Sequence, residues 1–360
     1  MKKLLLVLTT LPIILSCMLY SSPPLGESNF PLKKVLTTSI KADIQGIAVG
    51  DTWIAVRTQD AIIAFDIDTL KELWTLDIQV SALRENFQMV NDILVAASEE
   101  QIFLIDRRGN KKEIDVDAEV KQIIRMLGAY SNYIYIVGGP EWTLEAYDIS
   151  QNKMLWKSRA GRNVGDVFYD PSNNIAYLTR NDFVRAYDNS SGKVLWEKRD
   201  VFGVGTLYES GILYVPVPTN VEDAFRLAAI NGASQESLWE KDIPYPADIR
   251  ASHSTIIDNL LIYRGDGMIA VDKSDGDLVW TTPSVGDEFY DIPVEFDSVI
   301  YVKGLDTGAV YAISLNDGTV IGQTRLEDLG PIDVASGGVY ALKDGIVFNT
   351  KNEIVIYKAK

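Results

Sequence analysis

From Phe30 onward, apolar residues alternate with polar ones or gather into short β-branched runs, and Gly, Asn, Asp and Ser break these runs every few residues. Hardly any stretch keeps the period of a helix, so the pattern predicts an all-β chain. Eight segments recur: Ala64-Phe65-Asp66, Leu104-Ile105-Asp106, Ala146-Tyr147-Asp148, Ala186-Tyr187-Asp188, Ala229-Ile230-Asn231, Ala270-Val271-Asp272, Ala312-Ile313-Ser314 and Ile356-Tyr357-Lys358. Their last residues lie 40, 42, 40, 43, 41, 42 and 44 positions apart. In five units a Trp follows eight residues later: Trp74, Trp156, Trp196, Trp239 and Trp280. Between the two marks lies a turn, clearest in Asn189-Ser190-Ser191-Gly192-Lys193, where Gly and Asn/Asp accept the positive φ of a tight hairpin. Each unit reads as strand, turn, strand, with two further strands upstream.

A period of about 40–45 residues with four strands per unit predicts a β-propeller. Residues 30–360 number 331, which shared among eight marks leaves about 41 each. The expected architecture is a single eight-bladed β-propeller of four-stranded antiparallel blades. The last unit ends at Lys360, just after its third strand. Residues Lys33 to Ile40 align with Lys71 to Ile78, the fourth strand of the first complete blade. The amino-terminal strand is therefore expected to complete the eighth blade and close the ring, leaving no open edge there.

Ala-x-Asp, a Gly-bearing turn and Trp at this spacing resemble the tryptophan-docking repeat of the PQQ-like, quinoprotein-type eight-bladed propellers, named after pyrroloquinoline quinone. The resemblance covers essentially everything after residue 30 and implies that each indole packs between neighbouring blades. Ile114, Gly322 and Leu36 are expected in the Trp slot of the remaining units, so those junctions should pack less tightly. The repeat specifies a fold and leaves function to sites built on it.

The amino terminus adds an address. Met1-Lys2-Lys3 precedes an apolar run from Leu4 to Leu15, too short for an ordinary membrane span and suited to export. Ile14-Leu15-Ser16-Cys17 resembles the lipobox of bacterial lipoproteins, in which the Cys is acylated and becomes the first mature residue. Residues 1–16 are thus expected to be a lipoprotein signal peptide, Cys17 the lipidation site, and residues 17–29, with Ser21-Ser22-Pro23-Pro24 and Gly26, a flexible tether. Met18 stands where Asp commonly signals inner-membrane retention, which favours the outer membrane in a host that has one.

Charge narrows the partners. With 34 Lys+Arg against 50 Asp+Glu the chain carries a formal −16 and gathers no cationic face, so nucleic acid is not an expected partner. Cys17 and His253 are the whole Cys and His supply, which excludes a Cys/His zinc or iron–sulfur site and an internal disulfide. Membership of the quinoprotein group would imply PQQ in the central funnel with Ca2+, a catalytic Asp and often a vicinal disulfide. This chain cannot form that disulfide and lacks the long insertions of such enzymes.

No residue is therefore assigned to catalysis, cofactor or metal. The repeated Asp/Asn is read as a turn cap, and Asp272-Lys273-Ser274-Asp275-Gly276-Asp277 as a hairpin turn, because the ligand spacing of a calcium loop is missing. His253 has no placed Ser or carboxylate beside it and reads as a surface or hydrogen-bonded residue. Trp53 and Trp142 fall outside the docking column; Trp142 reads as packing under a loop or as an interface anchor. The longer stretches Val215 to Phe225 and Pro283 to Asp291 combine carboxylates with aromatics and are the candidate docking loops.

Lipidation, eight blades and length together are similar to the BamB-like outer-membrane assembly lipoproteins. That likeness implies a non-catalytic scaffold with an envelope protein partner, a BamA-like barrel insertase, and no cofactor. A PQQ-dependent or other small-ligand-binding propeller, and a cell-surface adhesion or carbohydrate-binding module, are the alternatives.

Overall fold

Alternating apolar residues, stopped every five to eight positions by a turn, give a chain of short strands that pair with their sequence neighbours. The computed structural model describes residues 30–359 apart from 81–82, 84–85, 99, 117–124, 131, 221–223, 245–248, 266, 283–284, 286–287, 290–291, 306 and 325–337. Blade 1 consists of β2 (Gly46–Val49), β3 (Trp53–Arg57), β4 (Ile62–Asp66) and β5 (Glu72–Leu76), hydrogen-bonded antiparallel in that order. Six further blades repeat this order along the chain, the seventh ending with β29 (Val320–Gln323).

The eighth blade is composite. Strands β30 (Val339–Leu342), β31 (Gly345–Asn349) and β32 (Glu353–Ala359) are completed by β1 (Leu32–Ser39), which pairs antiparallel with β32. The all-β eight-bladed ring and its closure by the amino-terminal strand are thus both observed.

Second and third strands are almost wholly buried, whereas fourth strands such as β5 are largely exposed and form the outer wall. Within a blade, the turns joining strands 1 to 2 and 3 to 4 lie at one end, the hairpin rim. Those joining strands 2 to 3, with the blade-to-blade connectors, lie at the other, the connector rim. The core is divided into eight apolar clusters, each shared by two adjacent blades. Burial across blade junctions therefore holds the ring together.

The docking column is built as the spacing suggests. Trp74, Trp156, Trp196, Trp239 and Trp280 pair across the sheet with Ala64, Ala146, Ala186, Ala229 and Ala270. Each indole N–H donates to a main-chain carbonyl of the next blade, that of Arg107, Asn189, Gly232, Lys273 or Leu315, at 2.8 to 3.1 Å. At Gly192 and Gly276 a Cβ would come within 2.7 and 2.6 Å of the facing indole, so these turns need glycine for close approach as well as for their positive φ.

Three junctions depart from this scheme. Blade 2 is corrected by its register: β9 (Lys111–Asp115) lacks the bulge carried by the other blades, and its turn is one residue shorter. Lys112, not Ile114, therefore stands opposite Leu104 in the Trp slot, and Ile114 is buried in the core instead. The Lys112 ammonium donates to the Ile149 carbonyl at 3.2 Å, the counterpart of the indole acceptors. Leu36 does occupy the slot at the 8–1 junction, packed in the cluster that also holds Ile67 and Leu70.

Gly322 also occupies its slot, opposite Ala312, yet that junction is filled from elsewhere. Phe30 lies between Tyr301 and Tyr357 with ring centroids 5.8 and 5.5 Å away. Tyr301 and Tyr357 hold the repeat positions of Tyr135 and Tyr187, the two rings that flank Trp156. The closing segment thus brings its own aromatic to the place where the indole is missing.

Candidate functional site

The turn carboxylates of the hairpin rim are fixed caps. Asp66 accepts from the amide and hydroxyl of Thr69, Asp188 from those of Ser191, and Asp272 from those of Ser274, at 2.6 to 3.0 Å. These hydroxyl bonds, the largest cause in each case, hold the three carboxyls below the usual range. The segment from Asp272 to Asp277 is a hairpin turn, with Gly276 at φ 79°. Among the described residues no group of three or more His, Cys, Asp or Glu could hold a metal ion.

Other sequence candidates scatter. Trp53 is fully buried, donating to the Asp92 carbonyl at 3.2 Å and lying 5.6 Å from Trp74. Trp142 is half-buried against the cluster between blades 3 and 4, which is the packing reading. His253 lies in β22 (Ile249–Ile257), the first strand of blade 6, where pairing is interrupted between Arg250 and Thr255. Cys17, with the signal peptide and tether, falls outside the described residues.

The two candidate docking loops are partly interior. Val215 to Val217 form the end of β19 (Ile212–Val217), and residues 221–223 fall outside the described residues. In the second stretch, taken as a candidate docking loop, Phe289 is completely buried.

Sequence reasoning missed a set of buried cations at one repeat position, two of which fasten connectors. Arg57, Arg264 and Lys303 occupy matching positions near the ends of the second strands of blades 1, 6 and 7, and all are buried. Arg57 donates to the carbonyls of Leu83 and Gln45 at 2.8 and 2.7 Å, and Arg264 to that of Phe289. These guanidiniums therefore bond carbonyls of the connectors that flank their blades. Blades 2 and 3 carry Ala97 and Val137 at the same position.

The most exposed large apolar side chain of the described residues stands on this rim: Phe202, 51% exposed, in the connector from blade 4 to blade 5. Its backbone is fixed on every side. Val201 is buried between the two blades, and the Phe202 amide donates to the Pro216 carbonyl at 2.8 Å. Gly203 lies so close to the preceding turn that a Cβ would be 2.1 Å from the Arg180 carbonyl oxygen. In blade 4, the Arg180 and Arg185 guanidiniums lie 4.8 and 4.6 Å from the Phe183 ring centroid. Arg185 and Arg199 both pair with Glu197, at 2.5 and 2.6 Å. Burial acts to raise the Glu197 carboxyl, but Arg185 and then Arg199 outweigh it and hold it below the usual range. An exposed aromatic on a backbone held by these contacts, on a rim that also carries Arg180 and Arg199, makes Phe202 the candidate interface anchor. Its only signal in sequence is an apolar pair, Val201-Phe202, inside a Gly-bearing connector.

A family model described as outer membrane protein assembly factor BamB matches residues 140–290 and 223–360. No curated protein sequence matches the chain. Among solved structures, BamB from Moraxella catarrhalis is similar with a TM-score of 0.63 at 12% identity, over 91% of this chain and 99% of that one. The computationally designed Ika8 protein gives 0.66 at 12% identity over 89% and 98%. Quinohemoprotein alcohol dehydrogenase from Comamonas testosteroni gives 0.65 at 10% identity over 92% of this chain and 77% of its own. At these identities the structural likeness concerns the fold.

Proposed function

The chain belongs to the family of outer membrane protein assembly factor BamB, and from that membership we propose that it is a lipid-anchored, extracytoplasmic, non-catalytic scaffold assisting assembly of outer-membrane β-barrel proteins. In this reading residues 1–16 are a signal peptide removed on export, Cys17 is acylated, and residues 17–29 tether the propeller to the periplasmic face of the outer membrane. Phe30 enters at the hairpin rim, so the thirteen tether residues 17–29, at most about 47 Å extended, lead from the lipid to that end. The connector rim is left open to a partner such as a BamA-like barrel insertase.

The observation that carries the reading is Phe202, held exposed on a preorganised loop, which lowers the ordering cost of association. The test is a photo-crosslinking residue at position 202 in intact cells, with recovery of the tagged chain and identification of what is linked. An insertase linked at 202, and lost when Phe202→Ala is combined with crosslinkers at Arg180 or Arg199, is expected. Turnover of an alcohol or sugar by the purified chain with PQQ and Ca2+, without any linked protein, would replace this reading by the quinoprotein one.

A further inference from the structure

Among the described residues, no ring refills between blades 2 and 3 the slot that holds an indole at five junctions. At the 7–8 junction Phe30 supplies a ring from outside the repeat, and at the 8–1 junction Leu36 packs with Ile67 and Leu70. Between blades 2 and 3, Lys112 sends its ammonium across to the Ile149 carbonyl while the residue itself stays exposed. What remains is a cleft of about 360 Å³. Its walls include Tyr147 and Asn152, the residues that stand where Tyr187 and Gly192 contact Trp156, together with Met154 and Ile114.

We propose that this cleft receives one aromatic side chain of a partner polypeptide, carried beside a basic residue. Two wall positions, those of Tyr147 and Asn152, match ones that contact an indole at the next junction, and Phe30 shows that the ring can come from a segment outside the blade. A tyrosine face and a methionine suit an aromatic guest. Glu113 and Asp115 line the same cleft. Glu113 is paired with Lys111 at 2.7 Å, whereas Asp115 takes a hydrogen bond of 3.3 Å from the Gln101 amide and has no ion pair among the described residues. That carboxylate supplies the complement for a basic neighbour of the guest. The site does not depend on the Phe202 loop.

The experiment titrates the purified chain with the acetylated, amidated tripeptide arginine-tryptophan-arginine, its alanine-centred counterpart, and a glutamine-flanked tryptophan peptide. The alanine peptide is expected to bind about tenfold more weakly or worse, and the glutamine peptide severalfold more weakly. Lys112→Trp with Asn152→Gly, which rebuilds the indole-on-glycine contact, should fill the cleft and remove tryptophan-peptide binding without lowering Tm. Asp115→Asn should abolish the preference for arginine flanks. A photoreactive tryptophan analogue should link to the wild-type chain between Tyr147 and Met154, a readout independent of whether the double variant folds. Equal binding of the tryptophan and alanine peptides, links elsewhere, or binding that survives in a folded double variant would overturn the proposal.

Discussion

Trp196 and Lys112 donate to equivalent carbonyls across the 4–5 and 2–3 junctions, yet they should differ widely in what they contribute. The indole of Trp196 is 8% exposed and fills the junction between blades 4 and 5, so Trp196→Ala should cost about 3–5 kcal/mol, read from urea unfolding. Lys112 is exposed and its single bond competes with water, so Lys112→Ala should cost about 1 kcal/mol or less. The turn carboxylates make a second residue-level case. Because their folded pKa values lie below the unfolded one, they contribute stability above about pH 4 that is lost as pH falls through the folded values. Replacing Asp66, Asp188 and Asp272 by Asn keeps an accepting oxygen in each turn, as Asn231 does in blade 5. The triple variant should therefore fold and lose less stability between neutral and acid pH than the wild type; an unchanged acid profile would assign the acid sensitivity to other groups.

At the scale of strands, β1 joins the ends of the chain, and Phe30, just before it, supplies the ring that Gly322 cannot. Phe30→Ala should open a cavity at the 7–8 junction and cost about 3–5 kcal/mol, with a lowered Tm as the readout. Phe30→Trp should be tolerated better, since the other junctions hold indoles. This element was legible in sequence as a pairing, because residues 33–40 repeat the pattern of a fourth strand. Phe30 was not, because it precedes the aligned stretch and its place becomes apparent only when Tyr301 and Tyr357 close around it. The assignment of Ile114 to the Trp slot failed for a related reason. Counting eight residues from Asp106 assumes the common turn and bulge, and blade 2 has a shorter turn and no bulge, which moves the slot to Lys112.

For the whole molecule, periodicity revealed the ring because it repeats in every blade, while the buried cations and the proposed anchor do not. Arg57, Arg264 and Lys303 share one repeat position but occur only in blades 1, 6 and 7, with Ala97 and Val137 in their place in blades 2 and 3, so no sequence period marks them. Phe202 lies in a connector, where the repeat imposes nothing. The net charge acts at this same scale. A formal −16 spread over one closed ring opposes its compaction through mutual repulsion, and the Debye length falls from about 30 Å at 0.01 M salt to about 10 Å at 0.1 M. Many local ion pairs, such as Arg185 with Glu197, act the other way and weaken on screening, but the paired charges are the minority species balanced by the excess carboxylates. Raising NaCl across that range at pH 7 should therefore raise Tm. Repeating the scan near the sequence pI of about 4.6, where the net charge is small, should remove the increase. A Tm that falls with salt at pH 7 would mean that the paired arginines of the connector rim, rather than long-range repulsion, dominate the electrostatics of the ring.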